Sequence, residues 1–220
     1  MNTLSRNGGL WIAVGTGGGA LRGVILGMAS VGLALGFVLG IFIGLARLAR
    51  SRWISLPATL YVEFFRGVPL VMVIFWIWFI IPQLLRLPIP EYGVALTAFV
   101  IFEAAYFGEI IRAGIQSVPR GQVEAATAVG LTSAQTMRFV VLPQAIRNMV
   151  PALVTQMIVL FKDTSLASII GYVDLTKAAQ IVNNREIKPF ELYLFIAVVY
   201  FIFTYSMSLF ARRFERRLAS

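Results

Sequence analysis

Cysteine and histidine are absent from all 220 residues. No disulfide framework, thiolate site or imidazole site can therefore form, and neither a Ser-His-Asp nor a Cys-His device can be built. Charge is scarce: acidic and basic residues make up 13% of the chain, against roughly 25% in a soluble domain. Its three lysines, Lys162, Lys177 and Lys188, follow Phe161, Thr176 and Ile187, so no Gly-Lys step exists for a phosphate-binding loop. Apolar residues dominate instead, at 59% with a mean hydropathy of +0.83. A soluble protein of this length cannot bury that much apolar surface, whereas a bilayer solvates it. The composition specifies an all-α membrane protein that crosses the bilayer several times.

A hydrocarbon core about 30 Å thick takes roughly 20 apolar residues per helix. Five stretches meet that length: about 20–45, 57–81, 93–111, 150–171 and 190–210. The third carries Glu103 and Glu109 and the fourth Lys162 and Asp163, charges that are costly at such depth and mark functional positions. Of 19 basic residues, twelve fall on one side, including Arg47, Arg50, Arg52, Arg120, Arg138, Arg147, Arg212 and Arg213. The positive-inside rule then places the N-terminus outside and the C-terminus in the cytoplasm, as an odd number of spans requires. The net charge of +9 is a topology signal with lipid headgroup contact, not a nucleic-acid footprint. Residues 1–19 read as an extracytoplasmic tail and 20–220 as one transmembrane domain. Gly15 to Ala20 fits a loose dinucleotide fingerprint, but no acidic residue follows at the required distance, so a flexible turn suffices.

Within the spans, Gly32, Gly36, Gly40 and Gly44 recur every fourth residue and form a groove for close helix approach. Pro57 suits a first helical turn, while Pro69 is expected to kink the second span beside Arg66. Arg66 can pair with Glu63 three residues earlier or serve the transport path; Glu109 and Arg112 have the spacing of an intrahelical pair.

The polar stretch 115–149 holds the most local structure. Pro119 opens a helix that Gly130 can close in the left-handed conformation. Thr132 and Gln135 form a capping box for a second helix, expected to end at Leu142 before Pro143. A helix, glycine turn and helix hung between two spans suits the grip of a cytoplasmic partner.

Glu124-Ala125-Ala126, then Gly130 after three residues, then Val140, Leu142 and Pro143 after nine more, resemble the EAA loop of ABC-importer permease subunits. Valine stands where that loop usually has isoleucine. Phe65 to Leu70, Glu109 to Ile115 and Lys162 to Leu166 resemble the polar-amino-acid branch, and Phe102 to Tyr106 resembles its glutamate/aspartate-type members. The resemblance covers nearly everything from the first span onward. It implies a five-helix permease subunit in a bacterial inner membrane, importing polar, acidic L-amino acids. It further implies a second permease (related or identical), two ATPase subunits that bind ATP and Mg, and an extracytoplasmic solute-binding protein. The chain would carry no cofactor and would not itself be an enzyme. Glu124, Ala125, Ala126, Gly130, Leu142 and Pro143 would couple it to the ATPases through a coupling helix.

Asp163 lies twelve residues beyond Pro151, about 18 Å along a helix and slightly past the bilayer midplane. A carboxylate there can receive an amino acid's α-ammonium, with Thr164 or Ser165 adding hydrogen bonds. It can equally be neutralised for structure alone, although Lys162, pointing about 100° away, is a poor partner. Gln156 shares the face of Asp163, and Glu103 is the other intramembrane acid. Substrate carboxylates would need a cation, for which Lys162 and Arg66 both stand open. The alternative function is a self-sufficient channel or ion-coupled carrier, against which stands the lack of an internal repeat.

Overall fold

The computed structural model describes residues 27–86 and 89–219. The expected outer tail, the Gly15–Ala20 turn and the start of the first span lie outside these. The elements are α1 (Ser30–Arg47), α2 (Arg52–Gly67), α3 (Leu70–Leu85), α4 (Glu91–Gln116), α5 (Arg120–Ala128), α6 (Ser133–Thr136), α7 (Leu142–Asp163), α8 (Leu175–Glu186) and α9 (Pro189–Ala219). A wide turn of π type, Met137–Val141, joins α6 to α7, and a tight 3-10 segment, Thr164–Ile170, follows α7. No strand occurs among the described residues.

Among the described residues, four helices are long and apolar enough to cross a bilayer: Gly27–Arg47, Glu91–Gln116, Ser133–Ile170 and Pro189–Arg213. The expected second span is two helices, α2 and α3, bent by 106°, and counting the pair as one brings the number to five. The break falls at Val68 and Pro69, both extended. Proline supplies no N–H and clashes with the preceding turn, so the chain leaves α2 and restarts with Pro69 as the N-cap of α3.

Helix directions follow from the contacts. Ideal Cβ atoms on Gly36, Gly40 and Gly44 would meet Glu103, Phe107 and Ile111, so α1 and α4 run parallel. Two parallel neighbours need one return crossing between them, and α2–α3 provides it. Gly114 meets Met149 while Glu103 meets Gln156, making α7 antiparallel to α4. Phe161 packs on Tyr200 and Phe203, and Val154 and Met157 lie level with Ser206 and Phe210, so α9 runs back again. The C-terminal ends of α1, α4 and α9 thus share one end of the bundle with α5 and α6.

At the centre is α4, whose faces meet α1, α2, α3 and α7. The glycine stripe of α1 sets the closest approach: a Cβ on Gly40 would stand 2.5 Å from the Phe107 Cβ, and one on Gly44 2.7 Å from the Gly108 carbonyl. The main core joins Leu70, Ile74 and Ile77 of α3 to Val94, Phe99 and Phe102 of α4, with Leu160 and Ala167 closing it.

The expected stop at Pro143 does not occur: the helix continues through it into α7. The wide turn at Met137–Val141 resets the hydrogen-bond ladder, leaving Pro143 in the first turn of α7, where no N–H is needed.

Candidate functional site

Two polar clusters and one exposed hairpin hold the chemistry. The first cluster runs along α7 from the middle of α4 to the end of α7. Gln156 Nε2 donates to Glu103 Oε2 at 3.0 Å, linking α7 to α4. Glu103 is fully buried, and its Oε1 has no hydrogen-bond partner among the described residues. Asp163, the last residue of α7, is half-buried, and no ion pair engages it among the described residues. Thr164 is buried, with its hydroxyl donated to the Phe161 carbonyl at 2.7 Å, so it fastens the end of α7. Ser165 is half-buried and Lys162 exposed. The sequence placed Gln156 and Asp163 on one face; the fold adds Glu103 beneath the first of them.

The second cluster sits where α1, α2 and α4 meet. Glu109 accepts from Arg112 at 2.6 Å and 3.0 Å, as the spacing predicts, and also from Arg47. Arg66 Nη1 lies 3.7 Å from the same carboxylate, and its guanidinium stands 5.7 Å over the Tyr106 ring. Arg66 therefore does not pair with Glu63; Arg47 takes that acid at 3.2 Å. Burial decides the exchange, since Glu109 offers a drier carboxylate than the exposed Glu63. Arg66 thus stands at the bend of α2–α3 against Glu109, while Lys162 is the residue next to Asp163. Sequence reasoning counted Arg47 only as a topology marker. Its spacing of three from Gly44 put it on the face that meets α4, which was the available signal.

The hairpin is built as its residues dictate. Gly130 takes φ +86°, its N–H donates to Thr127 at 3.0 Å, and Leu131 donates to Ala126 at 3.1 Å, a paired left-handed closure of α5. Thr132 and Gln135 cap each other reciprocally at the start of α6. Ala126 is buried, whereas Glu124, Ala125, Gly130, Leu142 and Pro143 are exposed. Val129 and Phe139 extend an apolar surface on the same segment. No group of three or more acidic side chains that can hold a metal occurs among the described residues.

Comparison with known proteins fits this architecture. Residues 36–220 match the family described as binding-protein-dependent transport system inner membrane component. A glutamate/aspartate import permease protein, GltK, of Escherichia coli O6:H1 is 40% identical over 203 residues, covering 89% of this chain and 91% of that protein. A probable glutamine ABC transporter permease, GlnP, of Bacillus subtilis is 41% identical over 198 residues, covering 88% and 90%. A crystal structure of an amino acid ABC transporter with histidines superposes with TM-score 0.87 at 35% identity, covering 99% of both chains. An inward-facing MetNI methionine transporter shares the fold at TM-score 0.72 and 21% identity, again over 99% of both chains. The self-sufficient channel or carrier gives way to these relatives, which are transporter components. The chain belongs to the family of inner-membrane components of binding-protein-dependent transport systems, the permease subunits of ABC importers.

Proposed function

We propose that this chain forms half of the path by which an ATP-driven importer brings polar, acidic L-amino acids into the cell. The observation that carries the reading is the cluster on α7: Asp163 and Lys162, neither with an ion-pair partner among the described residues, and Gln156 on the same helix face as Asp163. Asp163 receives the α-ammonium, Gln156 and Ser165 offer hydrogen bonds, and Lys162 meets a carboxylate. Glu103 supports Gln156 from behind. Likeness to the glutamate/aspartate permease supports the acidic substrate; equal likeness to the glutamine permease favours a second reading, in which the cargo carries a neutral amide.

In this reading α5 and α6 are the coupling hairpin in the cytoplasm, with Glu124 as the anchor and Gly130 permitting the turn. The basic ends of α1 and α9 at the same end of the bundle support that sidedness. Two ATPase subunits hold ATP and Mg, a second permease completes the path, and a solute-binding protein delivers cargo. Closing of the ATPases on ATP opens the site outward, and hydrolysis returns it inward.

The test is uptake of labelled glutamate, aspartate and glutamine into vesicles holding the assembled importer with its binding protein. Glutamate or aspartate should accumulate only with ATP, and Lys162→Gln should narrow their advantage over glutamine. Preferential uptake of glutamine would replace the acidic reading with the amide one. Accumulation by the permease without ATPases would end the scheme.

A further inference from the structure

Between α7 and α9 lies an apolar groove of about 560 Å³, lined by Val154, Met157, Ile158, Ser206, Met207, Phe210 and Ala211. A second apolar cavity of about 280 Å³ sits on the other flank of Met157, against Leu33, Phe37 and Phe107. Water gains nothing from walls this apolar, because a bound water needs two or more polar partners. In a bilayer the natural filler is hydrocarbon.

Position and charge make the filler more specific. Ser206 to Ala211 lie on the last turns of α9 before Arg212 and Arg213, where its apolar stretch ends. Arg213, seven residues beyond Ser206 and three beyond Phe210, stands on the flank of the groove about 10 Å further along the helix, whereas Arg212 points to the opposite face. Both arginines are exposed, and neither has an acidic partner among the described residues. The planar guanidinium fits a phosphate with two parallel hydrogen bonds. We infer that this groove holds an anionic phospholipid, one acyl chain lying along Met157 and Met207 and the phosphate held by Arg213 at its rim. The two methionines suit an occupant of variable shape, since their unbranched side chains adapt to what they pack against. A lipid seated there braces α9 against α7, which otherwise leave a gap between them at this level.

The assembled importer, taken from vesicles of equal phosphatidylglycerol and phosphatidylcholine, can be examined by native mass spectrometry for lipid retained after detergent exchange. Phosphatidylglycerol should be retained over phosphatidylcholine by roughly fivefold, the preference one arginine at a headgroup can give. Arg213→Gln should bring the two lipids to parity with assembly intact, and Arg212→Gln should leave the preference in place. Met207→Trp, which fills the groove, should displace both. Equal retention of the two lipids by the unaltered protein would overturn the inference. So would a disulfide between Met207→Cys and a cysteine on the second permease, because a subunit contact would then own the groove.

Discussion

Gly40 and Gly32 belong to one stripe, yet the space over them differs. A Cβ at Gly32 meets its nearest atom at 3.6 Å, ordinary contact, whereas at Gly40 three atoms lie within 3.2 Å, two of them backbone. Gly40→Ala must push α1 from α4 and should cost about 1–3 kcal/mol, the range for overpacking, while Gly32→Ala should be near neutral. Thermal unfolding of the two variants in detergent checks the order. At Asp163 the expected effect is on transport. In the proposed role, Asp163→Asn would remove a charge-assisted contact of about 1.5–3 kcal/mol, so uptake at limiting substrate should fall roughly ten- to hundredfold with assembly unchanged. An equal loss of assembled complex would place Asp163 among structural residues instead. Glu109 differs from both because three arginines converge on it. Glu109→Gln should loosen α2 from α1 and α4, read as faster proteolysis near the bend.

Two short elements depend on their ends. In the hairpin, nothing stands within 4 Å of a Cβ on Gly130, but its φ of +86° disfavours any side chain. Gly130→Ala should therefore cost about 1–2 kcal/mol from the backbone alone. Coupling should weaken with it, measured as substrate-stimulated ATPase activity of the assembled importer. At the other end of the bundle, fully buried Asp174 caps α8 by accepting from the Lys177 N–H at 2.8 Å. Burial pushes its carboxyl above the usual carboxylate range, against the pull of the helix N–H groups. A folded value above the unfolded 3.8 means that this contribution is fully present below that pH and shrinks as pH rises through the folded value. Asp174→Asn keeps the cap without the buried charge and should hold or raise stability at neutral pH. Asp174→Ala, without a cap, should lose about 1 kcal/mol. Hydrogen exchange across α8 distinguishes them.

For the whole molecule, the decisive property is which end of the bundle faces which compartment. The C-terminal ends of α1, α4 and α9 and the hairpin share one end, so a single labelling experiment orients everything. Val129→Cys should react with an impermeant thiol reagent only in inside-out vesicles, and Asn184→Cys, at an exposed position of α8, only in right-side-out cells. The reverse pattern would invert the proposed coupling.

Much of this was readable from the residues in order. Hydropathy marked where apolar helices lie, the glycine spacing marked the packed face of α1, and Gly130, Thr132 and Gln135 wrote the hairpin, because each signal is local or periodic. The EAA-like loop carried the family. Pro143 misled, since a proline's effect depends on the ladder around it, and a wide turn just upstream changed that ladder. Which acid Arg66 and Arg47 would take, and that Glu103 would lie under Gln156, depended on residues distant in sequence meeting at set depths. Periodicity selects the face a side chain occupies; only the packing of α1, α2, α4 and α7 around one another selects its partner.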